Sequence, residues 1–496
     1  MKMLLARLER SARSTPRAPA VTDGRTTLSY AELLVELSAA ADAVDGERLG
    51  LFADNGCPWA VLDLAAARRE MVCVPVPAFF SDAQVAHVVS DAGLDTIVTD
   101  RPERLGRILG TEPVGTVVAV GWPLSVFRIQ PDTRPAVPAG TGKVTYTSGT
   151  TGTPKGVCLS PVAIERVTFA LCEAAGASTA DRSLSLLPLS TLLENIGGLY
   201  APLWAGGVAQ VPPLSECGVA GSSGLDPRAL TAALRRHAPS TVILVPQLLK
   251  VLTECAAAGL AVPRSLRLAA VGGAAVSDAL IRRARAHGIP AFEGYGLSEA
   301  GSVAALNLPG ADRPGSAGRP LPHVRLEVDD TGEIVVHGHL FLGYLGAGET
   351  VGTRWPTGDL GRIDEDGYLH VTGRRKTAFA TAFGRNVAPE WVESELTAGP
   401  AVAQAAVFGE GRPFNVAVVV PGAGADVKNL RYALDETNRR LPDYARVRSW
   451  VTAEAPFTAD NGLAAASGAV LREAVEARYR EQIEALYQEG GRHAVL

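Results

Sequence analysis

Segments of helical periodicity alternate with short apolar runs along most of the chain, and this alternation constrains the fold more than any other feature. Apolar residues at helical spacing in 31–43, 59–68 and 83–91 are separated by apolar runs at 48–52, 71–76 and 96–99. The same alternation returns between residues 230 and 293. Helices and buried strands that take turns predict parallel sheets with βαβ crossovers. We therefore predict an α/β fold.

The pattern changes near residue 315, where signals for antiparallel strands begin. Apolar strands flank residues 329–332 (Asp-Asp-Thr-Gly) and residues 365–367 (Glu-Asp-Gly), and both segments are typical of hairpins. They predict a small antiparallel β unit attached to the α/β body. Helix and strand patterns return after a polar, basic junction at 373–376. We therefore predict a large domain of residues 1–374 and a small α+β domain of residues 375–496.

Composition excludes several classes of protein. The 496 residues are 47% hydrophobic and 20% charged, which is ordinary for a globular protein. A net charge of −5 without a long basic run argues against a nucleic-acid partner. No run reaches the ~18 apolar residues of a membrane span, and the amino-terminal segment lacks the apolar core of a secretion signal. Six scattered cysteines without a Cys-x-x-Cys pair predict reduced thiols and a cytoplasmic location.

The strongest local signal is the segment 146–156, which holds three glycines, five Ser or Thr hydroxyls and Lys155. Glycines let backbone N–H groups approach an anion, hydroxyls donate to phosphate oxygens, and a lysine adds positive charge. The spacing is not that of a Walker A loop. A solvated flexible loop is the alternative. Because the chain has only six lysines and Pro-Lys-Gly directly precedes an apolar strand, the sequence favours a polyphosphate site.

Residues 147–156 resemble the signature loop of the adenylate-forming superfamily, which includes acyl-CoA synthetases, peptide-synthetase adenylation domains and luciferases. Further motifs resemble those of the superfamily in the expected order, at 272–274, 294–299, 357–359 and 373–374. Segments 187–190, 384–386 and 461–463 are most similar to the long-chain acyl-CoA synthetase branch. The resemblance covers nearly the whole chain from residue 28 onward.

The resemblance implies an ATP site with Mg²⁺ and assigns it residues. Nucleotide binding falls to Ser148, Gly149, Thr150, Thr151, Gly152, Gly272, Gly273, Ala274, Tyr295, Gly296, Ser298, Asp359 and Arg374. Among these, Tyr295 stacks on adenine, Ser298 meets phosphate, and Asp359 with Arg374 binds the ribose. Catalysis falls to Thr147, Lys155 and Glu299, of which Glu299 holds Mg²⁺. Lys376 occupies the hinge of a mobile carboxy-terminal lid.

The implied reaction fits these residue types. An acid oxygen attacks the α-phosphate of ATP, pyrophosphate leaves, and the activated acid passes to an acceptor. Lys155, Glu299 with Mg²⁺ and the backbone donors of the loop can offset the charge that develops on the phosphate. The expected substrate is a fatty or aryl carboxylic acid. The expected acceptor is CoA or another carrier thiol, with a carrier protein as a further partner; an amine acceptor is the alternative.

The chain departs from the family pattern where a carboxy-terminal lysine normally bridges the acid and the α-phosphate. That position falls at Ala469, and no lysine follows Lys428. Three explanations remain open. Arg472 could supply the charge, although its planar fork is not equivalent to an ammonium. The substrate could need no lysine, or the site could be disabled.

A second departure follows the Leu-Pro-Leu segment at 187–189, where Glu194 and Asn195 stand beside an apolar run. Either they line the acid or acceptor pocket, or they belong to a helix end that faces solvent. Two other functions stay open beside the acyl ligase. One is activation of nitrite, with an amine acceptor giving a diazo or N-nitroso product in specialised metabolism. The other is a weakly catalytic nucleotide-binding regulator.

Overall fold

The computed structural model describes residues 1–131, 134–147, 154–220, 224–348, 351–465 and 467–488. Its α-helices are α1 (Lys2–Ser14), α2 (Tyr30–Ala43), α3 (Cys57–Arg68), α4 (Asp82–Asp91), α5 (Pro102–Leu109), α6 (Pro161–Ala174), α7 (Leu192–Glu194), α8 (Ala201–Ala205), α9 (Pro227–His237), α10 (Pro246–Ala257), α11 (Asp278–Ala286), α12 (Pro389–Thr397), α13 (Val427–Arg440), α14 (Arg472–Arg478) and α15 (Arg480–Gln488). A π-helix, Asn195–Tyr200, joins α7 to α8, and 3₁₀ turns form at Leu214–Cys217, Ser298–Ala300 and Asp443–Ala445.

The strands are β1 (Pro19–Thr22), β2 (Thr27–Ser29), β3 (Arg48–Phe52), β4 (Val72–Pro75), β5 (Thr96–Thr99), β6 (Gly115–Ala119), β7 (Trp122–Arg128), β8 (Lys143–Thr147), β9 (Lys155–Leu159), β10 (Arg182–Leu184), β11 (Val208–Gln210), β12 (Val219–Ala220), β13 (Gly224–Leu225), β14 (Thr241–Leu244), β15 (Leu268–Val271), β16 (Ala291–Leu297), β17 (Ser302–Leu306), β18 (Arg319–Pro320), β19 (Val324–Val328), β20 (Glu333–Gly338), β21 (Gly343–Tyr344), β22 (Arg354–Ile363), β23 (Leu369–Arg374), β24 (Phe379–Ala380), β25 (Asn386–Val387), β26 (Val402–Phe408), β27 (Asn415–Pro421) and β28 (Val447–Thr452). The predicted α/β fold is confirmed.

Two large sheets form the body of the molecule. One has the order β18-β17-β16-β15-β14-β10-β11-β1-β2, and its strands from β16 to β1 run parallel. The other has the order β21-β9-β8-β4-β3-β5-β7-β6. Because β14, β15 and β16 are parallel, their carboxyl ends meet at one edge, which is where open α/β sheets bind ligands. β16 continues beyond residue 293, where the alternation read from the sequence ended, and includes most of the 294–299 motif.

Local chemistry fixes the start of α6, a helix that lines the cavity described below. Ser160 caps this helix by accepting a hydrogen bond from the Ala163 N–H (3.1 Å), and Pro161 occupies the first turn. Both choices suit a helix start, because the cap satisfies a free N–H and proline lacks one to satisfy. The helix is buried along the face that carries Ile164, Val167 and Ala170.

The antiparallel unit after residue 315 is a sheet of order β19-β20-β22-β23. Both predicted hairpins are present, and the strands of the second run from Arg354 to Ile363 and from Leu369 to Arg374. As a result, Asp359 lies within β22 and pairs directly with Arg374 of β23. The two residues predicted to hold the ribose are therefore neighbours by strand register.

The carboxy-terminal part has its own three-stranded sheet, β26-β27-β28, and its own buried cluster around Val392, Val407 and Leu434. It touches the body through buried polar contacts. Lys250 Nζ donates to the Val402 carbonyl (2.7 Å), and Ser277 Oγ donates to Glu395 (2.8 Å). A large and a small domain are thus present, while the boundary at 374/375 stays a prediction. Among the described residues, no helix has the length and apolarity to cross a bilayer.

Candidate active site

A cavity of about 370 Å³ opens at the carboxyl ends of β14, β15 and β16. Apolar side chains of α6, the π-helix region and the sheet supply most of its walls, among them Leu171, Leu192, Ile243 and Leu306. The residues that sequence motifs predicted for nucleotide binding or catalysis and that line the cavity are Thr147, Gly272, Gly273, Tyr295, Gly296 and Ser298. The cavity thus brings together motifs more than 140 residues apart in the chain.

Glycines at the mouth of the cavity are required by close backbone approach. A Cβ on Gly296 would collide with the carbonyl oxygen of Ser302 on the paired strand β17. A Cβ on Gly272 would stand 3.3 Å from the Gly294 carbonyl oxygen, and Gly273 has a φ of +83°. Left-handed backbone of that kind favours glycine. Ala274 follows them and is exposed.

Asp359 lies at the centre of a tight polar group beside the cavity. Its carboxylate accepts a hydrogen bond from the Tyr295 hydroxyl (2.8 Å) and pairs with Arg374 Nε (3.0 Å). Asp359 is buried, whereas the Arg374 side chain is largely exposed. Burial, and then the charge of Asp359, raises the pKa of Tyr295 far above its usual value. The group can present one carboxylate and one aromatic face to a nucleoside.

Glu299 and Lys155 are linked through Tyr344, a residue that sequence reasoning missed. The Tyr344 hydroxyl donates to Glu299 Oε1 (2.6 Å), and Lys155 Nζ lies 5.9 Å from the centre of the Tyr344 ring. Burial and the hydrogen bond to Glu299 raise the pKa of Tyr344. Tyr344 reaches this place because β21 pairs with β9. No local pattern could indicate a pairing over that separation.

The phosphate loop connects β8 to β9, whose ends pair Thr147 with Lys155. The nucleotide-binding predictions for Ser148, Gly149, Thr150, Thr151 and Gly152 lie outside the described residues. Their roles stay predictions, as do those of Thr147 and Lys155.

The tail segment reaches the cavity through Ser467, which lines it. Ala464 and Val470 form a β-bridge, and the Ala465 N–H donates to the Ala469 carbonyl (2.7 Å), so the segment is a small hairpin. Ala469, at the position of the absent lysine, is exposed on this hairpin. A longer side chain at this position would extend from the same hairpin that contributes Ser467 to the cavity lining.

Arg472 does not line the cavity. Its guanidinium pairs with acidic side chains of α12. Its guanidinium lies 2.7 Å from Glu393 and 3.4 Å from Glu390. A catalytic role would require this buried pairing to break. Lys376 is exposed in the turn between β23 and β24. Its hinge role stays a prediction.

Glu194 and Asn195 are both buried, so the solvent-facing alternative is wrong. Burial raises the pKa of Glu194 to about 8. Asn195 starts the π-helix, which lines the cavity through Gly197 and not through Glu194 or Asn195. π-Helices are rare and occur often at functional sites.

A buried ammonium binds the first and last residues of this π-helix. Lys143 Nζ donates to Asp63 (2.6 Å), Asn195 (2.6 Å) and the Tyr200 oxygen (2.7 Å). The Tyr200 hydroxyl in turn donates to Asp63. Lys143 and Asp63 side chains are 5% and 0% exposed. Because the chain has only six lysines, Lys143 could have been singled out from the sequence. Its hydrogen-bond partners could not be predicted from the sequence.

Ser302 is a further residue that sequence reasoning missed. It lines the cavity with a φ of +120°, which is unfavourable for a residue other than glycine. Its buried Oγ has no hydrogen-bond partner among the described residues. Strained backbone of this kind concentrates at functional sites.

Comparison with known proteins agrees with the geometry. The AMP-binding enzyme family matches residues 8–345, and the AMP-binding enzyme C-terminal domain matches residues 378–491. The chain is 27% identical to the long-chain-fatty-acid–CoA ligase FadD15 of Mycobacterium bovis, over 89% of this chain and 88% of that protein. It is 28% identical to the fatty acid–[acyl-carrier-protein] ligase ScoC of Streptomyces coeruleorubidus, over 80% and 82%. The structure of the anthranilate CoA ligase AuaEII with anthranoyl-AMP superposes with a TM-score of 0.80, at 20% identity over 96% of each chain.

Proposed function

The chain belongs to the AMP-binding enzyme family, and we propose that it is an ATP-dependent ligase that activates an apolar carboxylic acid as its adenylate and passes the acyl group to a thiol. One observation carries the proposal. A single cavity joins residues of the nucleotide motifs, such as Tyr295 and Gly272, to a long apolar space. An acid that fills this space would place its carboxylate beside the α-phosphate of ATP, and such positioning supplies a large part of catalysis in phosphoryl and nucleotidyl transfer.

The ends of the site have different chemical roles in this proposal. Tyr295 and Asp359 hold the nucleoside, because one offers an aromatic face and the other a buried carboxylate that can accept from ribose hydroxyls. Thr147 and Lys155 meet the polyphosphate. The adjacent apolar walls exclude water from the acid and from the adenylate, which water would otherwise hydrolyse.

Glu299 is a fitting ligand for Mg²⁺. The ion commonly binds through one or two carboxylates together with substrate phosphates. Glu299 provides a carboxylate, and both Glu299 and Lys155 lie close to Tyr344. When bound, Mg²⁺ would neutralise charge on the phosphates. Tyr344 donates to Glu299 Oε1 and so orients the carboxylate.

CoA or the thiol of a carrier protein is the proposed acceptor. Relatives described above are named as ligases that transfer fatty acids to CoA or to an acyl-carrier protein. Activation of nitrite and a purely regulatory role are not supported by these relatives. The absence of the tail lysine then means that Ser467 and the cavity residues meet the reacting groups without an ammonium from the tail.

Measurement of pyrophosphate and AMP tests the proposal. The purified chain with ATP and Mg²⁺ should release pyrophosphate in the presence of fatty or aryl acids, and AMP should appear when CoA is added. Amino acids and nitrite complete the panel as competing substrates. Release of ADP and orthophosphate, or pyrophosphate release with nitrite alone, would overturn it.

A further inference from the structure

The cavity continues far beyond the nucleotide motifs. It reaches from Gly272 and Gly273, at the carboxyl ends of the parallel strands, to Thr241 and Arg267 at their amino ends. The path from Arg267 to Gly272 along β15 covers about 16 Å at the ordinary rise of a strand. The cavity lining therefore extends along the full length of β15.

Apolar groups form the walls along this path. Leu171 and Cys172 of α6 face it from one side, and Leu268, Ala270 and Leu306 of the sheet line it from the other. An aryl acid would leave the far part of such a space unfilled. An unbranched alkyl chain matches its length and its chemistry, because each buried methylene contributes to binding.

An ion pair lies at the far end of the cavity. Asp181 and Arg267 both line the cavity there, and two parallel hydrogen bonds of 2.8 Å join the Arg267 guanidinium to the Asp181 carboxylate. Arg267 Nη1 also donates to the Ala175 carbonyl (2.7 Å), and Ser240 Oγ donates to Asp181 (2.7 Å). The pair thus ties together the segment after α6, the segment before β14 and the residue that precedes β15.

The pair has little capacity left for a ligand. Asp181 accepts from Arg267, from Ser240 and from the Ser178 N–H (2.8 Å). Burial works to raise the pKa of Asp181, but these hydrogen bonds lower it below its usual value. The Arg267 side chain is 36% exposed and the Asp181 side chain 8%. The pair therefore offers a ligand little free hydrogen-bonding capacity, because its charges are already satisfied by each other and by neighbouring groups.

We propose that the Asp181–Arg267 pair is the end wall of the acid site and sets the maximum length of an unbranched fatty acid that the enzyme activates. The inference rests on the proposed function and adds the substrate class to it. The carboxylate of the acid lies near Thr147 and Tyr295, and its methyl end lies against the pair. A longer chain would have to break a bidentate ion pair or bury a methylene against it.

The test is a comparison of chain-length profiles. Initial rates of pyrophosphate release are measured with a homologous series of saturated fatty acids for the wild type and for Arg267→Ala. The wild type should lose activity sharply beyond one length. Arg267→Ala should move that limit to longer acids, with a gain of about tenfold or more for the first acid beyond the wild-type limit, as expected when a pocket admits an extra methylene.

Two further variants keep the result interpretable. Arg264→Ala removes an exposed arginine from the same loop, outside the cavity lining, and should leave the profile unchanged. Ala270→Leu fills the middle of the channel and should move the limit to shorter acids without touching the ion pair. If Arg267→Ala does not fold, Arg267→Lys, which keeps the charge but loses the fork, should give a smaller shift in the same direction.

Calorimetric titration of the same acids, without ATP, distinguishes a failure of the proposed function from a failure of the end-wall proposal. Acids that bind with a length limit that Arg267→Ala extends, but release no pyrophosphate, would refute the proposed function and support the end wall. Active enzyme whose profile is identical in the wild type, Arg267→Ala and Ala270→Leu would overturn the end wall alone. A wild-type preference for acids with a terminal hydroxyl or carboxylate would also overturn it, because the pair would then be a receptor.

Discussion

Replacement of Lys143 by methionine should destabilise the protein far more than replacement of any surface lysine. The change removes the buried ammonium and with it three hydrogen bonds of 2.6–2.7 Å. Asp63, whose side chain is 0% exposed, would lose its cationic partner. Breaking a buried pair by removing one partner costs about 3–5 kcal/mol, because the remaining charge is left uncompensated in a medium of low polarity.

Chemical denaturation followed by circular dichroism would measure this loss as a lower unfolding midpoint. The matched control is Lys2→Met, because Lys2 pairs with Glu70 at 3.3 Å while its side chain is 89% exposed. Exposed pairs contribute at most about 1 kcal/mol. The contrast between two Lys→Met changes in one chain isolates the effect of burial from that of the side chain.

The double variant Lys143→Met with Asp63→Asn removes both buried charges and should regain most of the stability. The π-helix would still lack its ammonium anchor at Asn195 and Tyr200, so the cavity wall formed by Gly197 should be less well defined. KM for the acid should then rise while the free energy of unfolding recovers. A cost below about 1 kcal/mol for Lys143→Met, or a double variant as unstable as the single one, would refute the reasoning.

Three other outcomes are expected. Ala469→Lys should accelerate adenylation of a fatty acid by up to ~100-fold, because one placed donor is worth about 10²–10³ in rate; Ala469→Met controls for bulk, and equal rates for both would show that the tail position serves no donor. Glu299→Gln should abolish pyrophosphate release at ordinary Mg²⁺ concentration, and full activity would remove Glu299 from the site. Glu194→Gln should flatten the pH dependence of stability: burial raises the pKa of Glu194 to about 8, so the folded protein binds a proton that the unfolded chain releases above its ordinary pKa, and wild-type stability should fall as pH rises towards 8. A wild-type unfolding midpoint that rises over that range relative to the variant would contradict the assignment.

The sequence alone predicted those structural features that arise from interactions between neighbouring residues. Alternation of apolar runs with helical periodicity predicted the parallel sheets because strands and helices bury side chains with different periods. The glycines at 272, 273 and 296 were predicted from their motifs, and the structure gives the reason: backbone crowding and left-handed φ that other residues tolerate poorly. The resemblance assigned Asp359 and Arg374, from two separate motifs, to the same ribose, and strand register makes them neighbours.

Contacts across large separations were decided only by the tertiary structure. Tyr344 reaches Glu299 because β21 pairs with β9. Lys143 meets Asp63 because β8 pairs with β4, and α3, which carries Asp63, packs on β4. The sequence left open whether Glu194 and Asn195 line the acid pocket or face solvent, and packing buried both outside the cavity lining. The extent of the cavity and the position of Asp181 and Arg267 at its far end depend on how the strands of the sheet assemble with α6. None of these leaves a local pattern, because burial and pairing arise from the relative positions of whole elements, whereas turns, caps and strand periods arise from neighbouring residues.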